Sequence, residues 1–145
     1  SPALLRRLGD MRAPLDVLRY PWLQHFQVSH AWDELIESVP GLAAAAKTGG
    51  APQASMYEFY SVLIRAAVSG LGLAVVPRIW IRNELATGQL ANPLGLGVTS
   101  KYGYYFVVPE HKAEIPSLRA FRAWLGREAR QTALDLQDAE PAPVN

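Results

Sequence analysis

Between Glu58 and Ser69 the apolar residues Phe59, Val62, Leu63, Ala66 and Ala67 recur at i, i+3 and i+4, and the chain then reads SGLGLAVVPR. That spacing is the period of a helix. Gly70 fits the left-handed position just beyond a helix end. Leu73, Ala74, Val75 and Val76 make a run too short for a helix and right for a buried strand. The order is therefore helix, glycine turn, strand. A phosphate-cradling loop needs the reverse, a strand and glycine turn that lead into a helix whose first amides face the phosphate. The stretch is a tight return into a sheet, and a nucleotide loop is excluded by topology.

The same alternation runs along the chain. Ser1 and Pro2 open a helix that Gly9 closes, and residues 14–18 suggest a second short one. Residues 23–28 read as a strand, with Leu23, His25 and Gln27 on one side and Gln24, Phe26 and Val28 on the other. Ser29 is placed to cap a helix through Trp32, Leu35 and Ile36. Residues 40–52 read as a variable loop with at most a weak helical turn, and residues 54–57 as a brief strand. Residues 79–86 make a helix ended by Thr87 and Gly88, and residues 92–100 a Pro/Gly-rich crossing. YGYYFVV, residues 102–108, is the strongest strand signal, being aromatic and β-branched throughout. Its residues Tyr102, Tyr104 and Phe106 share one face and read as core. Pro116 opens a last helix, and residues 137–145 read as a disordered tail. Strands alternating with helices define an α/β fold with a parallel or mixed sheet.

The 58–69 helix is apolar on most of its circumference: Tyr60, Ile64 and Val68 add a second apolar face, and Glu58, Ser61, Arg65 and Ser69 leave only a narrow polar stripe. Such a helix is either buried inside the monomer or shared between a sheet and a partner subunit, and the second is favoured because a domain this small has few fully internal helices. Tyr60, Ile64, Arg65 and Val68 are accordingly the candidate dimer residues.

Composition limits the function classes. The 145 residues are 50% hydrophobic and 19% charged, which is globular and can bury a core. No apolar run approaches the roughly 20 residues of a membrane span, so no membrane partner is expected. A net charge of +1 gives no strongly basic DNA-binding surface. The absence of cysteine excludes thiol catalysis and fits a reducing, cytoplasmic compartment. Enzyme readings find no support: His25, His30, Asp33 and Glu34 lack metal-ligand spacing and read as solvated groups, and Ser61 and Ser69 lack a nucleophile elbow. No catalytic residue, metal site or cofactor is expected.

In α/β sheets ligands sit outside the carboxyl ends of the strands. Three such ends supply candidates: Ser29 and His30; Phe59 and Tyr60, where a helix start suits an anion; and Arg78, suited to grip a carboxylate bidentately.

Taken together, YEFYSVLIRAAVSGLGLAVVPRIWIRNELATGQL, YGYYFVVPE and LRAFRAWLGREAR resemble the C-terminal half of LysR-type transcriptional regulators, and most of all the subgroup that includes the glycine-cleavage operon activator. SPALLRRLG and PLDVLRYPWL fit the entry into the second lobe, and the likeness covers residues 1 to about 130. The resemblance implies a periplasmic-binding-protein-like (type 2) effector domain, with one complete lobe over residues 1–91. Residues 92–134 would be the crossover and the returning strand and helix of the other lobe, and residues 135–145 a disordered tail. It also implies a small-molecule effector, a small metabolite or anion, held in the cleft between lobes. The aromatic strand adds Tyr102 and Tyr104 to the candidate effector contacts. Further implications are a homodimer or homotetramer, and DNA binding through an N-terminal winged helix-turn-helix that these residues do not include. The opening half of the first lobe is missing too, so YGYYFVV is expected to pair with another copy or swap between chains. A fragment of a periplasmic solute-binding protein is the alternative, since its lobes are built alike.

Overall fold

The computed structural model describes residues 1–138, which divide into two compact units, Ser1–Ser100 and a second beginning at Lys101. In the first unit a helix α1 (Pro2–Leu8) starts on Ser1, whose hydroxyl accepts the Leu4 amide. A 3-10 helix, Pro14–Arg19, follows. Next come β1 (Trp22–His25), α2 (His30–Ser38), α3 (Leu42–Gly49), β2 (Ala54–Tyr57), α4 (Tyr60–Val68) and β3 (Leu73–Ala74). A 3-10 turn, Arg78–Ile81, then leads into α5 (Arg82–Ala86).

The three strands form a parallel sheet in the order β2-β1-β3, with Trp22 beside Ala54 and Leu73, and His25 beside Tyr57. Alternation along β1 divides the core between the two faces of the sheet. Leu23 packs with Leu63, Ala66 and Ala67 of α4 on one face. Trp22 packs with Trp32 and Leu35 of α2 on the other. The Trp22 and Trp32 rings stack at 4.2 Å, nearly parallel. Their indole N–H groups donate to the carbonyls of Val17 and Leu23, so both large side chains are buried with no polar atom stranded. A sheet covered on both faces is what an all-parallel arrangement requires.

The glycine return is built as the sequence indicates. Gly70 has φ +76°, and its amide donates to Ala67 while that of Leu71 donates to Ala66, the paired bonds of a Schellman helix end. Arg7 of α1 donates to the Gly70 carbonyl at 2.7 Å and ties the turn to the first helix.

Several expectations are corrected. β1 stops at His25 instead of reaching Val28, because the Val28 amide turns back to the His25 carbonyl. Ser29 precedes α2 but makes no side-chain cap bond. Residues 42–49, read as loop, are the helix α3: Gly41 and Gly50 bracket it at positive φ, and the alanines favour helix. α4 starts at Tyr60, two residues later than its apolar period suggests, with Phe59 still extended. Phe59 and Val62, read as part of the buried stripe, are exposed, whereas Ile64 is 8% exposed. β3 is two residues long; Val75 and Val76 pack on the core without joining the ladder. After residue 91, Leu96 and Val98 pack against the Trp22–Trp32 cluster, and the first unit runs to Ser100.

The second unit holds an extended segment, a 3-10 turn at Glu110–Lys112 and the helix α6 (Pro116–Asp138). Residues 102–108 form no strand. β-structure needs a hydrogen-bonding neighbour, and the sheet of the described residues contains only β1, β2 and β3. The aromatic stripe Tyr102, Tyr104 and Phe106 is surface instead of core, with Tyr104 81% exposed. Phe106 meets Phe121 of α6 at 5.5 Å, and Phe121 meets Trp124. α6 continues to Asp138, beyond residue 134 where a disordered tail was expected to begin; the remainder of that expected tail, residues 139–145, lies outside the described residues.

Candidate functional site

Because the strands are parallel and in register, their carboxyl ends lie along one edge of the sheet. The segments that leave them carry Ser29 and His30 after β1, Phe59 and Tyr60 after β2, and Arg78 after β3. The β1 and β2 ends are joined directly, the Phe26 amide donating to the Tyr57 carbonyl at 2.8 Å.

His25 anchors this edge. It shares the face of Leu23, two residues earlier, and so points toward α4. There its ring stacks on Tyr60, with centroids 4.2 Å apart at 23°. Tyr60 in turn receives Trp80 edge-on, at 4.3 Å and 77°. One aromatic chain therefore runs from β1 through the first turn of α4 to the 3-10 turn after β3. His25 is 9% exposed, the one polar residue in the buried set among the described residues, which corrects its reading as a solvated group: the end of an inner strand, covered by α4, leaves it little access to water. Its Nδ1 accepts the Gln27 amide at 3.2 Å, so the neutral ring carries its proton on Nε2.

The other candidates are placed as follows. Ser29 is exposed, and its carbonyl accepts the Gln24 amide group at 2.9 Å. His30 is half-buried at the start of α2. Phe59, 61% exposed, is the residue before α4 and offers that helix no side-chain cap. Arg78 is half-buried in the segment that carries Trp80. Tyr102 and Tyr104 are exposed in the second unit. There Tyr104, Tyr105 and Phe106 line, with α6, a groove of about 1110 Å³. Of the candidate dimer residues, Arg65 is exposed and Val68 half-buried, while Tyr60 and Ile64 are packed within the chain.

The sequence reading did not place His25 and Trp80 at this edge, where both contact Tyr60. The signal for His25 was present: alternation puts it on the α4 face at the last residue of the strand. Trp80 had none, because a 3-10 turn has no apolar period to betray which residue folds back. Among the described residues, no three histidine, aspartate or glutamate side chains gather closely enough to hold a metal ion, and no helix is long and apolar enough to cross a membrane.

Comparison with known proteins gives the edge its context. The family described as the LysR substrate binding domain matches residues 1–130. The chain belongs to that family. Its curated relatives are transcriptional regulators. The activator AmpR of Citrobacter koseri is 26% identical over 129 residues, 89% of this chain and 41% of that protein. The regulator TrpI of Pseudomonas aeruginosa is 38% identical over 96 residues, 66% of this chain and 31% of the relative. The glycine cleavage system transcriptional activator of Escherichia coli K12 is 25% identical over 125 residues, 86% and 39% of the two chains. The LysR domain thus spans well under half the length of these relatives. No solved structure matches it. A LysR ligand-sensing domain replaces the alternative of a periplasmic solute-receptor fragment.

Proposed function

We propose that this LysR domain senses a small metabolite or anion at the carboxyl edge of its parallel sheet, in a cytoplasmic, non-catalytic regulator that binds DNA through a winged helix-turn-helix outside these residues. The observation that carries the reading is the convergence of Ser29, His30, Phe59, Tyr60 and Arg78 on one edge, in a chain of this family. Arg78 supplies a fixed cation for a carboxylate or phosphate, and the amides of the first α4 turn supply donors. Residues 1–91 act as the second lobe of a type 2 periplasmic-binding-protein-like domain. By likeness to the family, residues 92–134 are the crossover and the returning strand and helix of the other lobe, and Tyr102 and Tyr104 are candidate effector contacts of that returning segment.

Two observations support that arrangement. Residues 102–108 are aromatic, extended and without a ladder partner among the described residues, as a returning strand is when its sheet neighbours come from elsewhere, whether from the rest of the first lobe or from another copy. The outer side of α4 carries exposed Val62 beside Arg65 and half-buried Val68, a surface suited to a second subunit of a dimer or tetramer. Effector acts by population shift: it binds one arrangement of the lobes better than the other, and the difference reaches the subunit contact through α4.

The test is a thermal-shift screen of amino acids, aromatic acids and small phosphorylated metabolites on the full chain, repeated on Arg78→Ala and Arg119→Ala. One ligand class should raise the melting temperature; the shift should vanish in Arg78→Ala and persist in Arg119→Ala, whose residue lines the α6 groove. The opposite pattern would move the binding site to that groove.

A further inference from the structure

We infer that His25 is a positioning residue that couples the three strand-end segments into one unit, so that a ligand touching any one of them reorders the others. The inference rests on the reading of this edge as the effector site, but the coupling itself is a property of the free protein.

Three segments bear the candidate contacts; a backbone bond from Phe26 to Tyr57 joins the first two where they leave the sheet, and side-chain contacts extend the link to the third. His25 both bonds to the first segment and stacks on the second. Through Nδ1 it accepts the Gln27 amide and holds the turn that delivers Ser29 and His30 to the start of α2. Through its ring face it fixes Tyr60, the first residue of α4, at 4.2 Å. Tyr60 then seats Trp80 at 4.3 Å, in the same 3-10 turn that Arg78 begins. His25 is buried, Tyr60 half-buried and Trp80 42% exposed, and stacked or edge-on aromatic pairs hold their geometry by about 0.5–1.5 kcal/mol each beyond area burial. A phenylalanine in place of His25 would keep the stack and lose the acceptor. An asparagine would keep an acceptor near the Gln27 amide and lose the stack.

That separation is the test. Indole and amide NMR spectra of the full chain, ligand-free, are compared for wild type, His25→Phe and His25→Asn, with the Trp80 indole signal assigned from Trp80→Phe. His25→Asn should displace the Trp80 indole and Tyr60 signals and leave the Gln27 amide near its place. His25→Phe should do the reverse. A merely space-filling histidine would move both sets together in both variants, and that result, or an unmoved Trp80 signal in a folded His25→Asn, overturns the inference. Should His25→Asn not fold, Tyr60→Leu breaks the same chain at a half-buried position: it should displace the Trp80 signal, and an unmoved signal overturns the coupling. None of these readouts needs an effector, so failure of the effector reading, seen as no Arg78-dependent thermal shift, is recorded separately.

Discussion

A β-carbon built on Gly72 would stand 2.5 Å from the carbonyl oxygen of Pro21, the same oxygen that accepts the Leu73 amide at 2.8 Å. The oxygen cannot retreat without giving up the bond that starts β3 beside β1, and Leu23 closes the other side at 3.0 Å. Gly72→Ala should therefore cost about 1–3 kcal/mol by overpacking. Gly70→Ala should cost about 1 kcal/mol through its positive φ. Urea midpoints measured at equal m-value check both, and the order Gly72 above Gly70 is the expected result.

How much of this was legible in the sequence follows from the same residues. Gly70 and Gly72 betray the return because a glycine pair after a helical period has few other uses. Trp22 and Leu23 divide the two faces of the sheet by simple alternation. The α3 helix was hidden because its alanines lack an apolar stripe, and the bracketing Gly41 and Gly50 look like loop residues until their φ is known. YGYYFVV reads as strand on propensity, yet propensity cannot supply a neighbour, and the described sheet holds none for it. Strand-end reasoning names Ser29, His30, Phe59, Tyr60 and Arg78 as candidates because parallel strands share a direction. The His25–Tyr60–Trp80 chain is tertiary: no local spacing encodes a ring that folds back from a 3-10 turn.

The buried indole pair has its own signature. Trp32 donates to the Leu23 carbonyl and stacks on Trp22. Trp32→Phe keeps most of the apolar area but loses that bond, at about 0.5–1.5 kcal/mol. Trp32→Ala adds a cavity and should cost about 3–5 kcal/mol. Thermal unfolding of the two variants should separate them by several degrees.

Asp16 makes stability depend on pH. Its carboxylate accepts the backbone amides of Arg12 and Ala13 at 2.8 and 2.9 Å, and these bonds, with Arg19 alongside, hold its pKa below the ordinary carboxylate value. The unfolded chain binds this proton more readily, so the contribution is fully present above the unfolded pKa and is lost as pH falls through the folded one. Melting temperatures of wild type and Asp16→Asn should differ at neutral pH and converge in acid. A constant difference across that range would contradict the assignment.

The two apolar residues in the middle of α4 should behave oppositely. Val62 is 51% exposed and Ile64 is buried against the chain's own core. Val62→Asp should leave stability within about 0.5 kcal/mol and shift sedimentation toward the monomer. Ile64→Asp should cost about 3 kcal/mol or more, because a carboxylate cannot be buried unpaired. An unchanged sedimentation profile in Val62→Asp would remove this face of α4 from the subunit contact.

The central claim is that the effector is received where the three strands end. Amide chemical shifts of the full chain, titrated with pooled amino acids, aromatic acids and small phosphorylated metabolites, test it most directly. The account predicts that perturbations concentrate at residues 25–30, 58–61 and 77–80. Perturbations confined to residues 104–106 and 119–130, or to the amino ends of the strands around Pro21 and Gly72, would contradict it.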